Sequence, residues 1–518
     1  QRLVFAPERA DAPDADTRAL ESILSLSLSE EARADLLAPL QLAEHDAILR
    51  RIGLLRDSGY YRHLDETGRR RLKVLLPLLL REVARSDRQE ETLTRVLQVI
   101  ERIGGRTVYL ALLHENPVVR RRLTELCAQS QFLADLIAQF PLLLDELIDA
   151  RQFESLPTRE DLEADLSARM AGADRDDPER QVELLREFQR AARFRVAVPD
   201  LTGRLPLMKV SDRLTDIAEL IVAESLKLAW EQIAEKHGVP LYGPDDTALA
   251  PAGMIIVAYG KFGGFELGYG SDLDLVFLHD SAGNVQRTDG PKVIDNGVFF
   301  QRLVQRLVHL LTLHSASGRL YEVDTRLRPS GKGGLLVQSA EGFEAYQRQE
   351  AWTWEHQALL RARTVAGKSE LRDRFDEIRL DVLRTAVRRE TLREDVRVMR
   401  ERMRKELSKS GPGEFDLKQD AGGVTDIEFL AQYWTLRWAD RYPELVTFTD
   451  NIRQLESLAS ADLVPQSTVD ILTNAYRDYR QRMHHLSLDG GKTVVPDEEF
   501  PALRAGVSAI WRATMEAD

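Results

Sequence analysis

Apolar side chains along most of this chain recur at intervals of three and four, the spacing of one helical face. From about residue 20 to 155 that pattern predicts a run of helices. Between Thr92 and Ile100, for example, Leu93, Val96, Leu97 and Ile100 share a face, while Thr94, Arg95 and Gln98 fall on the other side. A helix is expected to end near Gln139-Phe140, because the residue before Pro141 is biased away from helical geometry. A long amphipathic segment follows from about 180 to 198. Another helix is expected to start at Ser211 as its N-cap and to carry Leu214, Ile217, Leu220 and Ile221 on one face. It should stop near Gly238, just before Pro240.

The pattern changes at about 250. Met254 to Ala258 is a short apolar run that reads as a buried strand, and Leu273 to Leu278 reads as a second. A glycine-rich loop lies between them. Residues 297–314 return to helical spacing, with Phe300, Leu303, Val304, Leu307, Val308 and Leu311 aligned. Leu320 to Val323 and Leu335 to Val337 read as further strands, and beyond about 375 the chain is again helical. The expected class is therefore α+β: mostly helical, with a small mixed sheet flanked by helical domains. The expected division is a tail or linker over 1–20, a helical domain over 21–155, a sheet-bearing domain with a helical lead-in over 156–375, and a C-terminal helical bundle over 376–518. No internal repeat or low-complexity tract is visible.

Composition narrows the function. Hydrophobic residues make up 43 % and charged residues 30 % of 518, an ordinary globular balance. A net charge of −13 argues against a nucleic-acid partner, since proteins that grip long polynucleotides present a basic surface. The longest apolar stretch, Val74 to Leu80, contains Pro77 and is far short of the roughly 20 residues that span a bilayer, so no membrane partner is expected. The single cysteine, Cys127, excludes an intrachain disulfide, suits a reducing cytoplasm and reads as a small buried helix residue. No leader pattern is visible, and the start at Gln1 rather than Met leads to the expectation of a piece of a longer protein.

The chemistry concentrates in one segment. Side chains alternate along a strand, so Asp272 and Asp274 project to one side while Leu273 and Leu275 point to a core. Two carboxylates side by side repel, and a divalent cation such as Mg²⁺ or Mn²⁺ offsets the repulsion. Asp324, on a later expected strand, supplies a third acid. Three carboxylates can hold two ions roughly 3.5–4 Å apart, the arrangement for in-line displacement at phosphorus. Gly260, Gly263 and Gly264 lack a Cβ and would let backbone amides approach phosphate oxygens, and Ser271, beside the acids, is a further nucleotide-binding candidate. Lys261, Arg326, Arg328 and Lys332 are candidate phosphate partners. No Walker pattern is present, which disfavours a P-loop.

These residues resemble the polymerase-β-like nucleotidyltransferase superfamily. A longer match is to the bacterial glutamine synthetase adenylyltransferase family. It is carried by Gly260 to Leu267, Gly270 to Leu275, Tyr321 to Gly331, Glu350 to Leu359 and Gly422 to Phe429. One departure is that Gly260-Lys261 stands where many superfamily members have Gly-Gly or Gly-Ser. Members of that family fuse two transferase modules, one adding AMP to a tyrosine of glutamine synthetase and the other removing it by phosphorolysis. This chain has a single Ser-Asp-x-Asp motif, and Ala351 to His356 resembles the adenylylating, C-terminal half. The resemblance implies ATP as substrate and two Mg²⁺ ions on Asp272, Asp274 and Asp324. It also implies control by glutamine and the PII signalling protein, a regulatory role for 21–155, and a boundary at Gln1 with the removing half absent.

Other residues have plainer readings. Thr425 and Glu428 match a capping box, which is favoured over ligand contact. Asp426 beside them is a candidate for reaching the nucleotide or a regulator. Trp352, Trp354 and Trp434 could stack on adenine, but core packing is the better reading. His356 reads equally as a phosphate contact or as a satisfied buried histidine, and His484-His485 lacks further ligands at zinc spacing. Two alternatives stand beside AMP transfer: a related transferase with another protein target, such as a uridylyltransferase, and a regulatory module with a silent site.

Overall fold

The computed structural model describes residues 19–25, 27–104, 106–148, 156–174, 177–201, 205–314, 318–488 and 491–516. The expected tail over 1–20 therefore lies almost wholly outside the described residues. The chain packs into two compact units. The first comprises residues 1–157, 190–205 and 488–490, and the second comprises 158–189, 206–487 and 491–518.

The first unit is helical throughout its described residues. Its longest helices are His45–Asp57, Glu66–Val83, Gln89–Ile103 and Pro117–Gln129. Leu93, Val96, Leu97 and Ile100 are fully buried, as the spacing predicts. Arg95 departs from that reading. It is buried too, donating to the Cys127 carbonyl at 2.9 Å and to Gln131 Oε1 at 2.9 Å, and pairing with Glu91. A guanidinium can be buried on a helix when its donors are satisfied, which polarity alone does not reveal. Cys127 is a buried helix residue, and burial pushes its thiol up to about 12.

The second unit is built around a mixed five-stranded sheet. Its strands lie among ten: β1 (Pro240–Gly243), β2 (Ala250–Pro251), β3 (Met254–Ala258), β4 (Leu273–His279), β5 (Val285–Thr288), β6 (Val323–Asp324), β7 (Val337–Ser339), β8 (Arg363–Gly367), β9 (Glu414–Asp416) and β10 (Val494–Pro496). The order is β6-β4-β3-β8, with β7 also pairing β4. β3 runs antiparallel to β4 and β8, while β6 and β7 run parallel to β4, at its start and its end respectively. The strands β2-β1-β5 and β10-β9 form smaller sheets.

Burial explains why β3 and β4 are central. Every residue of β3 is buried, and in β4 only Asp274 is not. The expected strand at Leu320–Val323 is shorter, because its first residues bond elsewhere. The Tyr321 N–H donates to the Leu311 carbonyl at 3.0 Å, and Gln189 Nε2 donates to the Leu320 carbonyl. Only Val323 and Asp324 pair with β4. The next strand begins at Val337, and Leu335 is exposed.

Helix Leu207–His237 packs on helix Asn296–Thr312 and on β8. It starts after Pro206, so Ser211 is a buried interior residue and not the N-cap. Proline at the entry supplies the break that a serine cap was expected to provide. The helix ends at Gly238, whose φ of 77° favours glycine. Helices Ser369–Thr385, Leu392–Leu407, Val424–Trp438, Asn451–Ser460, Gln466–Leu488 and Pro501–Met515 follow along the chain. They share one apolar core with the sheet: Val257, Val276 and Leu278 lie in the same cluster as Phe375, Leu430, Leu455 and Tyr476. Among the described residues no helix is long and apolar enough to cross a membrane.

Leu275 is fully buried on the face of β4 opposite Val276 and Leu278. Leu275→Ala is expected to lower stability by about 3 kcal/mol through lost transfer energy and a residual cavity. A urea titration followed by circular dichroism checks this, and an unchanged midpoint would contradict the packing described.

Candidate active site

β3 ends at Ala258, and the chain turns through one helical turn, Gly260–Gly263, before reaching Asp272 and β4. Asp272 is exposed, just ahead of the strand, and Asp274 is its one incompletely buried residue. In the parallel pairing of β4 with β6, Asp274 lies in register with Asp324. Residues in register share a face, so the fold brings all three acids to the same end of the sheet.

Asp274 is strongly perturbed. Burial, then the neighbouring charges of Asp272 and Asp324, push its carboxyl up to about 6. The carboxylate of Asp324 is engaged otherwise. It accepts from the Arg326 backbone N–H at 2.8 Å and pairs with the Arg326 guanidinium, which holds it below the ordinary carboxylate range. Among the described residues no three His, Cys, Asp or Glu side chains are arranged to hold a metal ion. The fit to a divalent cation is electrostatic. Asp274 is burdened by two like charges that a cation would relieve, and Asp324 can join once Arg326 releases it.

The three expected glycines do different work. Gly260 has φ of 56°, and a Cβ there would lie 2.4 Å from Asp274 Oδ2, so the carboxylate rests directly over its α-carbon. Gly263 and Gly264 face away from the acids toward Arg361. A Cβ on Gly263 would lie 1.8 Å from the Arg361 carbonyl oxygen, and one on Gly264 would lie 2.5 Å from its Nη2. These two permit close packing. Ser271 Oγ accepts from the Gly268 N–H at 3.0 Å and shapes the approach to Asp272.

The basic residues also divide. Arg326 is exposed beside Asp324, and Lys332 is exposed. Arg328 is spent within its own loop, donating to the Thr325 carbonyl at 2.7 Å, to Thr325 Oγ1 at 2.9 Å and to the carbonyls of Lys332 and Gly334. Lys261 lies at the mouth of a cleft, exposed on one side and ringed by protein elsewhere. That desolvation, then the nearby Lys418 and Arg480, lower its ammonium to about 8, against Glu428 and Asp272.

The network that fixes the turn was not foreseen. Glu266, 1 % exposed, pairs with buried Arg361, and Arg361 Nη1 donates to Glu428 at 3.1 Å. Asn451 Nδ2 reaches Glu266 at 3.2 Å and Tyr476 Oη at 2.9 Å. Burial alone would raise Glu266, but Arg361 and Arg480 hold it below its usual range. Burial and the charges of Glu266 and Glu428 push the Tyr476 phenol well above its own. Glu428 is thus an ion-pair partner and not half of a capping box. The helix Val424–Trp438 has Gly423 as N-cap, and Thr425 Oγ1 has no hydrogen-bond partner among the described residues. Asp426, a candidate for reaching ligand, is 1 % exposed. It accepts from Gly422 N–H at 2.7 Å and from Arg400 at 2.6 Å. Trp434 packs in the core as expected, whereas Trp352 is 63 % exposed. His356 is buried, with Nε2 2.9 Å from the Gln347 carbonyl oxygen.

The family model described as glutamate-ammonia ligase adenylyltransferase matches residues 120–378, half of the chain and all three acids. The chain belongs to the glutamate-ammonia ligase adenylyltransferase family. A second model, PII-uridylyltransferase, matches residues 390–494. Among curated relatives, the bifunctional glutamine synthetase adenylyltransferase/adenylyl-removing enzyme of Thioalkalivibrio sulfidiphilus is 45 % identical over 99 % of this chain and 53 % of its own length. That of Pseudomonas aeruginosa is 44 % identical over 94 % and 50 %, and that of Nitrosococcus oceani 42 % over 99 % and 53 %. The chain spans about half the length of the curated relatives it matches. Within the adenylyltransferase family match, Glu266 and Arg361 stand near the acids but serve the packing of the glycine-rich turn.

Two measurements test this geometry. Asp274 binds a proton more tightly folded than unfolded, so its contribution is favourable below about pH 4 and is lost as pH rises through about 6. In metal-free buffer Asp274→Asn is therefore expected to exceed the wild type in stability at pH 7.5, by on the order of 2 kcal/mol, and to lose that advantage at pH 4. Thermal melts at the two pH values read this, and equal offsets at both would contradict the electrostatic account. Gly260→Ala should displace the Asp274 carboxylate while keeping the fold. An undisturbed Asp274 in a crystal structure of that variant would refute the close approach.

Proposed function

We propose that this chain transfers AMP from ATP to a tyrosine of glutamine synthetase, releasing pyrophosphate, in the cytoplasm. The observation that carries the reading is the register of Asp274 with Asp324 beside Asp272, at the end of a sheet whose residues fall within the adenylyltransferase family match. In this reading Asp272, Asp274 and Asp324 would hold two Mg²⁺ ions, and Arg326, now paired with Asp324, would be a phosphate partner. Bound metal would neutralise charge on the phosphates. Gly260 leaves room for the Asp274 carboxylate, and the Glu266–Arg361–Glu428 network keeps the turn rigid. The tyrosine hydroxyl releases its proton to solvent, its oxygen forms a bond to the α-phosphorus, and the bond from that phosphorus to the α–β bridging oxygen breaks, freeing pyrophosphate.

A second reading, uridylyl transfer to another protein, draws on the match at 390–494. That match excludes all three acids, whereas the adenylyltransferase match contains them. The first reading is therefore preferred. We extend it to regulation: glutamine and the PII protein act as effectors, with residues 21–155 as the regulatory segment.

The test incubates the full chain with glutamine synthetase and α-labelled ATP or UTP, with and without glutamine. Label from ATP on a tyrosine is expected, and transfer that responds to glutamine. Asp274→Asn should lower transfer by more than about a hundredfold, the upper end for loss of a metal ligand's outer-shell partner. Undiminished transfer by that folded variant, or a preference for UTP, would refute the reading.

A further inference from the structure

Lys261, Lys418 and Arg480 come from three distant stretches of the second unit and line one cleft of about 190 Å³ together with Ser271. A single water needs only about 10–15 Å³ of such space, so the cleft has room for a phosphate chain. Three cations at one cleft repel, and the protein's own acids do not cancel them. Glu428 is bonded to Arg361, and Glu266, bonded to Arg361 and Asn451, pairs at 3.7 Å with Arg480 alone of the three. No described protein group accepts a hydrogen bond from the ammonium of Lys261 or of Lys418.

Arg480 is held in place for a ligand. Its Nη2 donates to the Glu266 carbonyl at 2.8 Å and to Ser211 Oγ at 3.2 Å. Its Nη1 is buried without a hydrogen-bond partner, with the Glu266 carboxylate at 3.7 Å. A buried charged donor whose only partner lies beyond hydrogen-bond reach keeps a bonding capacity that a ligand can complete. The cleft also adjoins the acids, because Ser271 lines it and Asp272 is the next residue. One end of the site is thus negative and the other positive.

We propose that this cleft binds the β- and γ-phosphates of the nucleotide and holds the departing pyrophosphate, with Lys418 and Arg480 as binding residues beside Lys261. The proposal rests on the nucleotidyl-transfer reading and adds where the leaving group goes. The α-phosphorus then sits toward Asp272 and Asp274, and the charge that gathers on the leaving oxygen meets three cations. Lys418 bonds only through its backbone, donating to Asp416 Oδ1 and accepting from Thr425 N–H, so its side chain can be changed without disturbing the loop.

The experiment is calorimetric titration of the full chain with inorganic tripolyphosphate, without nucleoside. Lys418→Met and Lys261→Met should each weaken binding about tenfold, the scale of one charge-assisted contact. Lys405→Met, an exposed helix lysine elsewhere, should bind as the wild type does. Thermal melts verify that all variants fold. Lys418→Met should also raise KM for ATP. Wild-type binding too weak to detect, or tripolyphosphate affinity unchanged in Lys418→Met, would overturn the proposal. Lys418-dependent tripolyphosphate binding by a chain that transfers no AMP to glutamine synthetase would uphold the cleft and defeat the functional reading alone.

Discussion

Arg361 carries a charge with almost no solvent around it, clasped between Glu266 and Glu428. The rest of the site depends on that pairing. It joins the glycine-rich turn to the helix Val424–Trp438, and Asn451 and Tyr476 extend it into two further helices. Breaking a buried pair by removing one partner strands a charge, a penalty of about 3–5 kcal/mol in comparable cases. Gly263 and Gly264 are needed because Arg361 passes so close that a single methyl would collide. The motif Gly-Gly-Phe-Glu-Leu is thus a packing device, and its consequence is that Gly260 and Asp274 meet at a fixed distance.

The acidic end works against stability. Asp274 sits among like charges and incomplete solvation, which raises its carboxyl toward neutrality. Sites that accept such strain hold it for a ligand that relieves it. The cationic cleft is the counterpart, with Lys261, Lys418 and Arg480 gathered where no described group accepts a hydrogen bond from either ammonium. Opposed charges at adjoining positions suit a phosphate chain spanning both.

Periodicity located the helices and the two central strands because burial on one face imposes it. It missed Arg95, since a guanidinium whose donors are satisfied is buried as readily as leucine at that position. It lengthened β6, because Leu320 and Tyr321 gave their backbone bonds to groups outside the sheet. Thr425 and Glu428 matched a capping box in spacing alone. In the fold Glu428 turns to Arg361, a charged and therefore stronger partner than a backbone amide.

The sequence by itself determined most of the helices, the two central strands and the nearness of Asp272 to Asp274, because periodicity and spacing are local properties; it did not show β8, which completes the main sheet. It also marked Asp324 as an acid on a second strand. Only the tertiary structure decided that Asp324 lies in register with Asp274, and that Gly260 serves the acids while Gly263 and Gly264 serve Arg361. It alone brought Lys418 and Arg480 to Lys261. Each of those outcomes is a distance between segments far apart in the chain, and Glu266 and Arg361 are 95 positions apart. Such distances follow from how helices and sheet close on a shared core, which no local pattern encodes.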